Sequence, residues 1–371
     1  MRKIKVYIDT PIWYIRPKNT DWQYTLSLDA MKAYAPLEFI YSKELNLVFE
    51  ENWYWLVSLV SRLFKFNLKT RCLNRKLLRK DFIKSLPDII YSHGRLPLTG
   101  PASIAPVIWF YGVVDPEMRV AAGQAIETIE KEYKEIEHFF EAATSVLFPT
   151  KLMMQRHALK FPNMKDKFFY APFFLSHIKV VSQKECSKKH VDDNILRLLF
   201  VGREARRKGL DIFLQAVTQL PEQYQVKLSI DVVTSDTSFP PQFRHLTNVT
   251  WHNEMPKSQV QKLMLRAHVF VMPSRFESYG FVYIEAMAAG AVVLAPSWES
   301  QRELCCNGEA GVLTDGTVTG VTSALCRITD RKFRLAVAEK ARLNCEAEYS
   351  PSAVAIAHFR AFEKSIKSYV A

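Results

Sequence analysis

Short apolar runs alternate with longer stretches of helical period along most of this chain. Runs rich in β-branched and aromatic residues fall at 4–8, 88–92, 106–111 and 144–148, then at 196–201, 226–233, 248–252, 268–272 and 291–295. Their length and composition predict strands. Between several of them, most clearly at 118–142 and 256–267, apolar residues recur at helical spacing and predict helices. Alternation of this kind predicts an α/β fold with largely parallel sheets covered on both faces. From Pro351 onward, Val354, Phe359, Phe362 and Ile366 keep close to helical spacing, with the proline suited to a first turn.

The alternation relaxes in SQKECSKKHVDD, a polar and highly charged stretch that predicts a linker. The expected organisation is a first domain over 1–181, a linker over 182–194, a second domain over 195–346 and a final helical segment over 347–371. A length of 371 residues suits two domains better than one.

Composition narrows the reading. With 48% apolar and 24% charged residues the chain can bury real cores, which excludes wholesale disorder. A formal net charge of +12 points to an anionic partner: nucleic acid, acidic lipid or a phosphorylated small molecule. There are only 12 glycines and none precedes Gly94, so no glycine-rich phosphate loop can follow the first strand. No apolar run reaches the ~18 residues of a spanning helix, and MRKIKVYIDTPIW reads as a first strand and not as a signal peptide. The 6 cysteines form no C-x-x-C, and the four nearest the C-terminus have no paired histidine at metal spacing, which predicts buried thiols in a reducing, cytoplasmic setting.

Candidate chemistry concentrates in the second half. The strand LRLLFVG ends at Gly202 and leads through REARRKG into a helix. Such a junction offers backbone N–H groups and a positive dipole end; Arg203 for bidentate contact and Lys208 as a point charge would complete a diphosphate site. A second strand ends near Pro273, its loop carries Glu277, and a helix opens near Gly280 and contains Glu285. The turn Ser278-Tyr279-Gly280-Phe281 would aim N–H groups at the strand ends, where open α/β sheets bind ligands. Glu285, inside the helix, suits two vicinal ribose hydroxyls, while Glu277 would face the sugar.

The order and spacing of these pieces resemble the retaining GT-B glycosyltransferases of glycosyltransferase family 4. The motifs that carry the likeness are V-G-R-x4-K-G, then P-S-x-x-E-x-x-G-x-x-x-x-E-A-M-A-x-G, then Glu303, all between about Leu196 and Thr314. The resemblance implies two Rossmann-like α/β/α domains facing across a cleft, with the last helix returning to the first domain. It implies that Arg203 and Lys208 hold the donor diphosphate, that Glu285 holds the ribose, and that Glu277 and Glu303 lie near the sugar, with Arg203, Lys208 and Glu277 as the catalytic set. In the first domain the family's glycine loop is replaced by Thr10-Pro11-Ile12-Trp13, and Tyr111 stands about where members often present a histidine. Thr10, His93 and Tyr111 are therefore the candidate cleft residues there.

The implied reaction moves a sugar from a nucleotide-sugar donor with retention and without cofactor. No D-x-D metal motif occurs, so no metal is expected, and the leaving diphosphate would be met by cations and N–H groups. Residues 53–86 carry nine positive charges against Asp81, interleaved with apolar residues at helical spacing behind Trp53 and Trp55. That pattern predicts a helix lying on an anionic membrane surface and, with no recognised nucleic-acid motif, argues against a nucleic-acid partner. The expected acceptor is thus membrane-bound, a lipid-linked saccharide or glycolipid of cell-surface polysaccharide assembly, and the expected location is cytoplasmic and peripheral. A soluble saccharide acceptor and a non-catalytic adaptor on a degenerate scaffold are the alternatives.

Overall fold

A computed structural model describes residues 3–9, 29–41, 87–93, 105–112, 116, 126–191, 194–225, 227–236, 243 and 246–370. They fall into two units, one drawn from 1–113, 130–176 and 354–371, the other from 114–129 and 177–353. Each unit is built on a parallel six-stranded sheet with helices.

The first sheet comprises β1 (Ile4–Asp9), β2 (Leu37–Tyr41), β3 (Ile89–His93), β4 (Val107–Phe110), β5 (Ser145–Phe148) and β6 (Phe168–Tyr170), in the order β2-β1-β3-β4-β5-β6. Strands β4 and β5 are buried at every position, the signature of a parallel strand covered on both faces. Helix Ile126–Ala142 buries Ile129, Tyr133, Ile136 and Phe140, which lie on one face at three- and four-residue spacing. Helix Pro351–Val370 returns to this unit from Val354 on. There His358 donates from Nε2 to the Pro172 carbonyl at 3.0 Å, and Ser365 Oγ donates to Ser145 Oγ at 2.7 Å.

The second sheet comprises β7 (Leu196–Val201), β8 (Leu228–Val233), β9 (Val249–His252), β10 (Val269–Val271), β11 (Val292–Pro296) and β12 (Val312–Thr314), in the order β12-β11-β10-β7-β8-β9. The chain runs outward from β7 through β8 to β9, then starts again on the other side with β10. That reversal makes the carboxyl ends of β7 and β10 a topological switch point, the place where open α/β sheets take ligands.

The stretch predicted as a linker contains a helix, Gln183–Val191. Ser182 and Glu185 form a reciprocal capping box, Ser182 N–H donating to Glu185 Oε2 at 2.7 Å and Glu185 N–H to Ser182 Oγ at 3.3 Å. Cys186 and His190, one turn apart, are buried, and Ser187 Oγ donates to Glu339 Oε1 at 3.2 Å. Two inward positions suffice for so short a helix, which is why its composition reads as polar. The unit boundary lies just upstream, between Ser176 and His177. Residues 53–86, predicted as a membrane-surface helix, lie outside the described residues, as does Thr10. Among the described residues no helix is long and apolar enough to cross a membrane.

Candidate functional site

Two loops meet at the switch point of the second sheet. The first, 202–209, follows β7 and ends at Gly209, whose φ of +78° opens helix Leu210–Thr218. A Cβ at that position would lie 2.2 Å from the Pro273 carbonyl oxygen, so only glycine lets the two loops approach this closely. The second loop follows β10 and ends at Gly280, whose φ of +85° opens helix Phe281–Ala288. Neither helix start has a side-chain cap, which leaves first-turn capping to the backbone or to a ligand.

The loops are tied by a ladder of polar contacts. Arg275 N–H donates to the Arg207 carbonyl at 2.9 Å, and Arg207 Nη1 donates to the Phe276 carbonyl at 2.8 Å. Arg275 also makes a two-pronged pair with Asp211 at 2.7 Å in each arm. Lys208 Nζ pairs with Glu277 Oε2, with both side chains largely buried, and Arg207 Nη1 stands 3.9 Å from the same oxygen. Glu277 thus stands between two cations, and Glu204, paired with Arg207, brings the local charge into balance. Arg207 is oriented by paired contacts to Glu204 at 2.7 and 2.9 Å; these raise its guanidinium pKa further.

Helix Glu299–Leu304 braces the second loop from below. Ser300 Oγ donates to the Ser278 carbonyl at 2.6 Å, Gln301 Nε2 to the Tyr279 carbonyl at 3.1 Å, and Trp298 Nε1 to the Ser274 carbonyl at 3.2 Å. Tyr283, fully buried, donates its hydroxyl to the Met272 carbonyl at 2.6 Å. The loop that holds Glu277 is therefore fixed on both sides before any ligand arrives.

Glu285 forms a second cluster. Its Oε1 accepts from His177 Nε2 at 2.7 Å and lies 3.3 Å from Lys257 Nζ. Burial works against its ionisation, but the His177 hydrogen bond and the Lys257 charge outweigh it and hold the carboxyl below the usual range. Both named contacts fall on one oxygen, so Glu285 is an oriented, ionised acceptor.

Of the predicted residues, Lys208 and Glu277 are brought together, and Ser278, Tyr279, Gly280 and Phe281 form the adjoining turn. Arg203, next to Gly202 at the end of β7, instead pairs with Glu254 at 2.9 Å, both side chains exposed. Glu303 is half-buried on the bracing helix. In the first unit His93 is the last residue of β3, and only its backbone is described. Tyr111 is not a cleft residue: it is fully buried and packs on Trp109, Phe140, Phe148 and His157 at 5.0–5.8 Å between ring centroids. Just past β4 the Tyr111 side chain turns into the core, where Phe140 of helix Ile126–Ala142 packs against it. Arg207, His177, Lys257, Ser300 and Gln301 were missed, since each acts through contacts distant in sequence.

A unit whose parallel sheet reverses at its centre is a Rossmann-like α/β domain, and the chain has the GT-B fold. Residues 196–331 match the family described as glycosyl transferases group 1. An uncharacterized glycosyltransferase of Methanocaldococcus jannaschii is 29% identical over 171 residues, 43% of this chain and 43% of that protein. The chain spans about two-fifths of the length of such curated relatives. Among solved structures, sucrose-phosphate synthase of Thermosynechococcus elongatus superposes with a TM-score of 0.67 at 16% identity, covering 98% of this chain and 99% of that one. WaaG, a glycosyltransferase involved in lipopolysaccharide biosynthesis, does so at 0.59 and 17%, with 98% and 99% covered. At these identities the structural likeness establishes the fold alone.

Proposed function

We propose that the chain is a retaining, metal-independent glycosyltransferase that moves a sugar from a nucleotide-sugar donor to a membrane-bound acceptor, a lipid-linked saccharide or glycolipid. The observation that carries the reading is the joined loop pair at the switch point, where Lys208, Arg207 and Glu277 stand beside an uncapped helix start. In this reading the bond between the sugar's anomeric carbon and the donor phosphate oxygen breaks. Lys208, Arg203 and the first-turn N–H groups of Phe281–Ala288 stabilise charge on the departing diphosphate, a term usually large in such chemistry. The acceptor hydroxyl attacks from the same face, and its proton passes to the departing phosphate oxygen. Glu285 receives the ribose hydroxyls, and Glu277 positions Lys208 and faces the sugar.

The absence of a D-x-D motif supports metal independence. The basic, Trp-flanked stretch over 53–86 supports a membrane-held acceptor and peripheral attachment, since apolar insertion and polybasic attraction together hold a protein on a bilayer. The test has two arms. Purified protein should slowly hydrolyse one of the UDP-, GDP- or ADP-sugars, and Lys208→Ala should abolish this. Replacing Arg75, Lys76, Arg79 and Lys80 by Gln should release the protein from anionic vesicles while leaving donor hydrolysis intact. No turnover across the donor panel would sink the transferase reading, and indifference of the wild type to anionic vesicles at low salt would sink the membrane acceptor.

A further inference from the structure

The second unit has another cavity, at the end of the sheet away from the loop pair. It holds about 610 Å³ and opens beside Leu196 and Leu228, the first residues of β7 and β8. The loop pair follows the last residues of β7 and β10, so a strand length of six residues, about 20 Å at the usual rise, separates the two places. Lys227 and Arg327 stand exposed at the cavity rim, while Arg334 lines it from a buried position, 6% exposed. Tyr224, Phe333 and Leu228 supply ring and aliphatic wall.

Arg334 has a structural task that uses only part of its guanidinium. Its Nη1 donates to the Ile328 carbonyl at 2.9 Å and the Thr329 carbonyl at 3.2 Å, capping the helix Val318–Thr329. Its Nε is buried and has no hydrogen-bond partner among the described residues. A buried charged donor left unpaired is costly, and natural folds seldom keep one without a use. Among the described residues one carboxylate lines the cavity, Asp330; its Oδ1 caps the next helix through Phe333 N–H at 2.7 Å, and its charge also acts on Arg334. Arg327 is held with its guanidinium carbon 4.0 Å from the centre of the Phe333 ring, which fixes its direction. Three cations, one of them buried with a spare donor, thus line a concave site that has a single acid among the described residues.

We propose that this cavity binds a soluble phosphorylated small molecule, its phosphate held by Lys227, Arg327 and Arg334 and its ring or aliphatic part against Tyr224 and Phe333. Guanidinium forks suit a phosphate dianion, and the volume suits a sugar phosphate in size. The site is separate from the donor loops and does not depend on the transferase reading.

The test uses the full chain, titrated calorimetrically with inorganic phosphate and with glucose 6-phosphate. Both should bind, the sugar phosphate more tightly, and binding should persist in Lys208→Ala, which removes the donor-loop cation. The double variant Lys227→Gln/Arg327→Gln should weaken binding by about tenfold or more, the loss expected for charge-assisted contacts. Both residues are exposed, so the double variant keeps the fold, whereas an Arg334 substitution would also remove a helix cap. Loss of binding in Lys208→Ala, indifference to the double variant, or no binding below about 10 mM would each overturn the assignment. Vesicles of phosphatidylcholine with phosphatidic acid separate the lipid source of the same headgroup: retention that depends on Lys227 and Arg327, with no response to the soluble anions, would overturn the small-molecule reading.

Discussion

His177 is the residue whose loss should speak most directly to the proposed ribose site. It donates to Glu285 Oε1 at 2.7 Å, while Lys257 supports the same oxygen at 3.3 Å. A hydrogen bond to a charged group contributes about 1.5–3 kcal/mol when shielded from water. His177 is 36% exposed and Glu285 21%, so screening and competition from water bring this nearer to about 1 kcal/mol. Lys257 remains in His177→Ala, so Glu285 stays ionised but is no longer held in one orientation. The expected result is about a fivefold rise in Kd for the cognate nucleoside diphosphate, the equivalent of that energy.

The assay is calorimetry with UDP, GDP and ADP beside the 2′,3′-dideoxy analogue of whichever binds. If Glu285 receives ribose hydroxyls, the dideoxy analogue binds wild type and variant equally, because it has nothing to lose. His177→Gln, which keeps a donor at similar reach, should recover most of the affinity. Equal weakening for both ligands would show that His177 acts through general folding of the site. No change for the ribose ligand would refute the positioning of Glu285 by His177.

Acid should destabilise both units through buried neutral histidines. His190 and His358 each donate from Nε2 to a carbonyl, each keeps an unpartnered buried Nδ1, and burial depresses each pKa to about 3. Their folded pKa lies below the unfolded value near 6.5, so stability is full above about pH 6.5 and falls as the unfolded chain takes up protons on the way down to pH 3. Urea titrations at pH 7 and pH 5 should differ by about 2 kcal/mol per histidine, and a pH-independent midpoint would contradict the burial argument. Gly209→Ala should cost at least about 1–3 kcal/mol, since it combines a left-handed φ with a clash against the Pro273 carbonyl. Thermal unfolding measures this, and an unshifted midpoint would mean the two loops are not held as close as described.

The strands that could be read from the sequence and those that could not differ in their place in the sheet. Interior strands such as β4 and β11 are buried at every position, so their apolar runs announce themselves. The three strands without a clear signal, β2, β6 and β12, are all at sheet edges, and β6 and β12 are only three residues long. An edge strand pairs on one side and meets less of the core, so its composition is less constrained. The missed helix Gln183–Val191 had a readable start in Ser182-x-x-Glu185, but two buried residues give too little period to outweigh its charge.

The same distinction governs the site. Lys208, Glu277 and Glu285 were legible because each sits at a fixed offset from a strand end and a glycine, and local backbone geometry dictates that spacing. Arg207, His177 and Lys257 have no such offset; what they do is set by partners 69, 108 and 28 positions away. Tyr111 shows the converse limit, because a residue just past a strand end can face the ligand or the core, and the sequence does not say which. Here Phe140, from a helix that packs over the end of β4, decides for the core. A motif therefore identifies where charge enters the site, and the tertiary contacts decide which of those charges are held ready for a ligand and which are already spent on one another.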